Sequence, residues 1–348
     1  MAPALTAPLL FLPGLLVEAA VRSRNALYAA GAWRAERLPA PVVSVGNLTL
    51  GGAGKTPLVI HVAGRLAALG VVPVILSRGY GRRDGARSHI VPPGCEADPS
   101  LVGDEPALLR RRAPAAWLGI ARDRHGAGRA IAARVRNAAF ILDDGFQHRR
   151  LHRDLDIVVV DRSQPLCNNR VVPRGTLREP LSALRRAHVI VLHGHAPGGA
   201  DASIDAALLR IHPGAAVIHA AQRIASFVPY RSWRDGTAGG RAALDAPVFL
   251  VAAVGNPRRF RVDVEACATR VVGERFFRDH HRITAEEWRA CAREAQRAGA
   301  GALVTTEKDA IKLARGPDLP LEVAVQSTAV EESSAFERIL EALVRGSR

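Results

Sequence analysis

The segment that most limits what this chain can fold into is residues 42–57. A β-branched run, Val42 to Val45, leads into Gly46-Asn47-Leu48-Thr49-Leu50-Gly51-Gly52-Ala53-Gly54-Lys55-Thr56-Pro57, and an apolar helical stretch follows. Gly51, Gly52 and Gly54 free the backbone to turn its N–H groups toward an anion, and the Lys55 ammonium can reach the β and γ phosphates of a nucleoside triphosphate. Thr56 would hold Mg²⁺. Pro57 suits a first helical turn, where a missing N–H costs nothing. The spacing departs from the strict phosphate-loop pattern at Thr49, where glycine is usual. A dinucleotide site is excluded because the third glycine of G-x-G-x-x-G would fall on Pro57. Residues Thr49, Leu50, Gly51, Gly52, Ala53, Gly54, Lys55 and Thr56 are therefore the expected phosphate cradle.

Such a loop needs a carboxylate at the end of a nearby strand. Ala139-Phe140-Ile141-Leu142-Asp143-Asp144 supplies one, with Asp143 the candidate for Mg²⁺ and Asp144 for an outer or water-orienting role. Other short apolar runs predict buried strands at Val72–Leu76, Ala116–Gly119, Ile157–Val160 and Val189–Leu192. Helices fit between them at about 56–69, 104–112, 122–136 and 180–187. Strand-helix alternation implies a doubly wound, mostly parallel α/β sheet of the P-loop NTPase-like class. The pattern loosens after residue 195 and resumes with Val248–Val254, a helical 284–298, Leu303–Thr305 and a helix near 332–345. A second, smaller α/β domain is therefore expected, with a boundary between 220 and 245. The division read is 1–35, an N-terminal helical region; 36–230, the P-loop domain; and 231–348, a second domain closing over the site.

The 348 residues are 48% apolar, enough for each domain to bury a core, and the net charge of +15 points to an anionic partner. Four cysteines with no metal spacing do not make a disulfide framework, so a reducing compartment is the default. Only Lys55, Lys308 and Lys312 are lysines among 48 basic residues, which leaves 45 arginines. A chain that uses arginine wherever it will serve draws attention to the lysines it keeps.

Residues Met1 to Val17 carry no charge, but Pro3, Pro8 and Pro13 interrupt them and argue against a membrane span. The first basic residue is Arg22, so a secretory signal is not expected either. From Gly14 a helix fits, with Glu18, Arg22 and Asn25 on one stripe and Leu16, Ala20 and Leu27 on another. It would lie in a membrane interface or pack on the protein's own core.

The loop joins Ser77-Arg78-Gly79-Tyr80-Gly81, Val102-Gly103-Asp104-Glu105-Pro106, Asp143-Asp144-Gly145-Phe146-Gln147-His148, Leu177-Arg178-Glu179-Pro180 and Thr306-Glu307-Lys308-Asp309. Together, and in this order, these resemble the tetraacyldisaccharide 4'-kinase family over nearly the whole chain. The resemblance implies transfer of the γ-phosphoryl of ATP to the 4'-hydroxyl of a tetraacylated glucosamine disaccharide 1-phosphate, a lipid A precursor. It implies ATP and Mg²⁺ as cofactors, a lipid disaccharide substrate and peripheral or monotopic attachment to an anionic membrane surface, the cytoplasmic face of the inner membrane. It favours the interfacial reading of residues 14–33. It makes Asp104 the candidate base, with Glu105 beside it, and His280 of Asp279-His280-His281 its supporting group. It places Arg178 and Gln147 with the nucleotide and Glu179 with the metal, and leaves His148 and Lys308 without assigned roles.

Two other readings compete. A P-loop NTPase could act as a switch or chaperone with a protein partner, although the Asn-Lys-x-Asp pattern of GTPases is absent and no obligate protein partner is evident. A nucleic-acid binder would use Arg110–Arg112, Arg149-Arg150 and Arg258-Arg259, but with 16 Phe, Trp and Tyr in all these arginines lack interleaved aromatics for stacking on bases. No nucleic-acid partner is expected; a basic face toward anionic lipid accounts for them better.

Overall fold

The computed structural model describes residues 10–51, 54–80, 82, 87–162, 169–194, 201–237, 239–268, 270–279, 281–331 and 333–346. Their strands are β1 (Val42–Asn47), β2 (Val72–Ser77), β3 (His89–Val91), β4 (Trp117–Ile120), β5 (Ala138–Asp143), β6 (Leu155–Asp161), β7 (Val189–His193), β8 (Ala216–Pro229), β9 (Val248–Ala252), β10 (Val271–Phe276), β11 (Ala302–Thr306) and β12 (Leu321–Val330). All twelve lie in one sheet, in the order β10-β9-β11-β12-β8-β7-β6-β1-β5-β2-β4-β3. Every pairing is parallel except β8 with β12 and β3 with β4. Strand-helix-strand connections force the parallel pairings and put helices on both faces.

Period-two alternation sends successive residues of one strand to opposite layers. Val43 and Val45 of β1 pack with Leu58, Val59, Val62 and Leu66 of the helix Lys55–Ala68. Val42 joins Phe140, Leu142 and Ile131 on the other face. In the second half, Phe249 and Val251 of β9 meet Trp288 and Cys291 of the helix Ala285–Arg297, while Leu250 and Ala252 meet Phe260 and Val264 of the helix Pro257–Glu265.

The halves share this sheet through β8. It pairs in parallel with β7 from Ala216 to Ala220, then antiparallel with β12 from Ala220 to Pro229. The sequence pattern did not reveal β3, β8, β10 or β12. Strand β10 carries Glu274 and Arg275 at a sheet edge, where charge discourages further pairing but also hides the apolar signal. Residues 180–187, expected to be helical, form the tighter 3-10 turn Leu181–Arg186. The last helix, Ser333–Arg345, packs Phe336, Leu340 and Val344 onto the core of the first half, although it was read with the second domain. Its apolar residues recur every four positions and meet the helix that follows the phosphate loop, where Arg65 also pairs with Glu337 at 3.0 Å.

The first helix, Phe11–Ala29, starts earlier than expected, since Pro13 falls in the first turn, where backbone N–H groups lack helical partners anyway. Gly14 is its only buried residue, so packing on the core, one of the two readings left open, does not describe it. Leu10, Phe11, Leu12, Leu15, Leu16 and Val17 are all exposed. Its far end is pinned instead: Arg24 and Asn25 donate to Glu179 at 3.1 and 2.8 Å, and the Arg149 guanidinium donates to the Asn25 carbonyl at 3.1 Å. No helix among the described residues is long and apolar enough to cross a membrane.

Candidate active site

The carboxyl ends of the parallel strands open onto a cavity of about 960 Å³. Ligands of doubly wound sheets bind there because strand ends and helix N-termini converge on it. Gly54 caps the helix Lys55–Ala68 with φ +79°, and a Cβ at that position would run into the His193 ring, so only glycine fits. Gly46 has the same requirement from packing: a Cβ there would lie 2.6 Å from that of Phe146. The entry strand of the loop is laced to residues 176–178 by Leu50 N–H to the Thr176 carbonyl at 2.8 Å and Arg178 N–H to the Leu48 carbonyl at 2.6 Å. Leu50, Gly51, Gly54, Lys55 and Thr56 line the cavity. Thr49 accepts from the Asn47 amide at 3.0 Å and is not among the lining residues. Gly52 and Ala53 lie outside the described residues.

Lys55 is held by the Asn47 side-chain oxygen at 3.2 Å and stands 3.5 Å from Asp144. Arg178 donates to the other oxygen of Asp144 at 2.7 Å. Burial raises the Asp144 pKa, but Lys55 and Arg178 outweigh it and hold this carboxyl below its ordinary range. Asp143, one residue earlier, goes the other way. Burial, then the negative charges of Glu105 and Asp144, push it up to about 6 against the Ser77 hydroxyl, which donates to it at 2.9 Å. The two neighbours differ because Asp144, at φ +50°, turns out of the strand toward the cations while Asp143 stays in β5. A hard-oxygen set of the Thr56 hydroxyl and the Asp143 carboxylate, both on the cavity wall, suits Mg²⁺, which takes one or two carboxylates and completes its shell with phosphates and water.

Gln147 lines the cavity and donates to the Asn47 carbonyl at 3.0 Å. His148 is also on the wall, and burial, then Arg124, Arg153 and Arg150, lower its pKa to about 4, which leaves it neutral at pH 7. Glu179 differs from the expectation. It is fully buried, not among the lining residues, and its oxygens accept from Arg24, Asn25 and Arg186, the last at 2.8 Å. With its charge already satisfied, it ties the first helix to the segment that carries Arg178.

The opposite wall comes from the start of the helix Asp104–Arg112 and from the second half. Glu105 lines the cavity; Asp104 is turned to Lys312 at 3.8 Å and is not a lining residue. Lys308 lies between Asp279 at 3.0 Å and Glu105 at 3.9 Å. His280 lies outside the described residues. The His281 ring stacks on Phe277 and contacts Glu287 at 3.0 Å. Glu307, buried, accepts from Arg112 at 2.7 Å and from the Trp233 indole at 3.2 Å, which fastens the helix carrying Asp104 to the second half.

The sequence pattern did not point to Arg124, His193 or Asn256, and it gave Arg259 to a basic face toward lipid; all four are on the cavity wall. Arg124 begins the helix after β4, and its buried guanidinium donates to the Asp144 carbonyl at 3.2 Å. Asn256 caps the helix after β9 by accepting from the Arg259 N–H at 3.1 Å. The rule that polar residues just past the carboxyl ends of parallel strands face the ligand would have found them.

Comparison with known proteins gives a consistent result. The tetraacyldisaccharide-1-P 4'-kinase family matches residues 6–345. A tetraacyldisaccharide 4'-kinase of Anaeromyxobacter dehalogenans strain 2CP-C is 42% identical over 312 residues, 86% of this chain and 81% of the relative. That of Syntrophus aciditrophicus strain SB is 37% identical over 341 residues, 94% and 90% of the two chains. A crystal structure of LpxK from Aquifex aeolicus in complex with ATP superposes with a TM-score of 0.73 at 27% identity, covering 96% of this chain and 98% of that one.

Proposed function

The chain belongs to the tetraacyldisaccharide-1-P 4'-kinase family, and we propose that it transfers the γ-phosphoryl of ATP to the 4'-hydroxyl of a tetraacyldisaccharide 1-phosphate in lipid A biosynthesis. The observation that carries this reading is one cavity lined by Lys55, Arg178, the Asp143–Asp144 pair and Glu105, with Asp104 just behind Glu105 at the start of the same helix. Lys55 and Arg178 are the cations that would meet phosphate oxygens as charge develops on them. Asp144 keeps both in place beforehand. Thr56 and Asp143 would hold Mg²⁺, which when bound supplies charge neutralisation at the β and γ phosphates. In the transfer, the bond from the γ phosphorus to the bridging oxygen breaks, the 4'-oxygen takes the phosphoryl, and the hydroxyl proton passes to a carboxylate, for which Asp104 is our candidate. The part of the chain from residue 231, bearing Lys308 and Arg259, would close over the bound reactants and exclude water.

The exposed apolar end of the helix Phe11–Ala29 suits peripheral attachment to an anionic membrane surface, the cytoplasmic face of the inner membrane, where a lipid acceptor resides. Incubation with γ-labelled ATP, Mg²⁺ and tetraacyldisaccharide 1-phosphate should give a bisphosphorylated lipid. Nucleotide hydrolysis that is indifferent to the acceptor would instead favour an NTPase switch.

A further inference from the structure

Lys312 is one of three lysines in a chain with 45 arginines, and it belongs to none of the groups assigned above. Its side chain is 8% exposed, and its ammonium faces three oxygens: Asp309 at 3.0 Å, the His281 carbonyl at 3.1 Å and Asp104 at 3.8 Å. Asp309 is a fixed base. Its second oxygen accepts from the Thr306 hydroxyl at 2.8 Å and the Ala253 N–H at 2.9 Å, and only 1% of its side chain is exposed. From that base the ammonium reaches the backbone of His281 and, across the sheet's two halves, the first turn of the helix Asp104–Arg112. An ammonium is compact and directs three donors to separate acceptors, whereas a guanidinium is a planar fork suited to two oxygens of one partner. A hydrogen bond to one carbonyl and ion pairs with two carboxylates, from three segments, converge on one point here. That geometry accounts for a lysine where the chain otherwise uses arginine.

We propose that Lys312 is a positioning residue for phosphoryl transfer: by pairing with Asp104 while donating to the His281 carbonyl, it fixes the Asp104 carboxylate relative to the His281 backbone. The proposal rests on the reading of Asp104 as the acceptor of the hydroxyl proton. It differs from a merely structural lysine in acting through one carboxylate. Misplacement of a reacting group by about 1 Å can cost on the order of 100-fold in rate, so the effect belongs in kcat.

The test compares Lys312→Met and Lys312→Arg, alone and with Asp104→Asn, in the full chain. It measures kcat and KM for ATP with tetraacyldisaccharide 1-phosphate, together with ATP binding and thermal unfolding. Both single variants should lose about 10- to 100-fold in kcat with KM for ATP changed less than about twofold. In the Asp104→Asn background the same substitutions should cost less than about a further twofold. Restoration of kcat by Lys312→Arg would overturn the proposal, as would losses that multiply in the double variant. Should Lys312→Met fail to bind ATP or unfold, the arginine variant and its pairing with Asp104→Asn decide alone. A wild-type chain that binds ATP yet leaves the acceptor unphosphorylated overturns the functional reading itself, a result separate from either of these.

Discussion

The two walls of the cavity hold their charges in different ways. On the nucleotide side, Lys55 starts its helix and Asp144 and Arg178 sit on loops laced by backbone hydrogen bonds near the ends of β1 and β5, with contacts of 2.7 to 3.5 Å. On the facing side, Asp104, Glu105 and Asp279 are held by two ammonium groups on or beside one short helix, and two of those contacts stretch to 3.8 and 3.9 Å. The first arrangement is organised before anything binds, so little reorganisation is left to the moment of reaction. The second depends on how the second half sits against the helix Asp104–Arg112, so it is the side that the proposed closure would adjust. Substitutions should therefore act differently on the two sides.

The largest effect is expected at Lys55. Lys55→Ala removes a cation from the preorganised wall, and loss of one such donor typically costs about 100- to 1,000-fold in kcat. Thermal unfolding should show a folded chain, because Asp144 keeps Arg178 at 2.7 Å. A kcat within about tenfold of wild type, a barrier change of only ~1.4 kcal/mol, would break the contrast between the walls.

Glu179 tests whether the nucleotide wall is rigid because it is anchored from behind. Glu179→Ala leaves the Arg186 and Arg24 guanidinia without their carboxylate, and removing one partner of a buried pair costs about 3–5 kcal/mol. Arg24 is a third exposed, so the lower end, about 3 kcal/mol, is expected in chemical denaturation. Release of the first helix should accompany it, read as faster proteolysis near residues 24–30. A stability change under about 1 kcal/mol would mean that the arginines re-pair with water at no cost, and the anchor would be discounted.

How much of this was legible follows the same division. The nucleotide wall could be read because its chemistry lies in contiguous motifs: β1 runs straight into the loop, and β5 ends in Asp143. The facing wall could not, because Lys312 meets Asp104 only through the register of β11, β12 and β8, and β8 and β12 carry mixed polar sequences that hide their strand character. Glu179 misled because a motif fixes the residue type and not the direction of the side chain. Its neighbour Arg178 faces the cavity, while Glu179 turns to the buried cluster of Arg24, Asn25 and Arg186. Lysine scarcity singled out Lys308 and Lys312 without showing their partners.

Asp143 offers a change of opposite sign. Its pKa of about 6 lies above the ordinary carboxylate value, so between about pH 4 and 6 the folded chain holds a proton that the unfolded chain has released. Stability therefore falls as pH rises through that window, and the penalty is complete above it. Asp143→Asn should stabilise the nucleotide-free protein at pH 7 by on the order of 2 kcal/mol, and the difference should shrink toward pH 4, while activity is lost. Denaturation of both chains across pH 4–8 measures this. An Asn variant less stable than wild type at pH 7, with a deficit that shrinks on acidification, would show that Ser77 and Arg124 dominate and that the site is not strained.

The smallest effect is expected at Glu105, and it sharpens the distinction within the facing wall. Its contact with Lys308 is 3.9 Å long, and the two side chains are 38% and 20% exposed. Exposed pairs of this kind contribute about 0–1 kcal/mol and weaken with salt, so Glu105→Gln should move the unfolding midpoint little and less still at high ionic strength. Lys308 keeps its shorter contact to Asp279 at 3.0 Å, so the geometry of the second half should persist. The rate is more informative. If Asp104 receives the hydroxyl proton, Glu105→Gln should lower kcat by less than about tenfold, while Asp104→Asn lowers it by about 100-fold or more, the range of a lost general base. Both carboxylates begin the same helix, so a shared structural disturbance would lower the two equally. The reverse order would transfer the proton to Glu105, the carboxylate that already lines the cavity, and would leave Lys312 and Asp104 as the ion pair that fastens that helix to the second half.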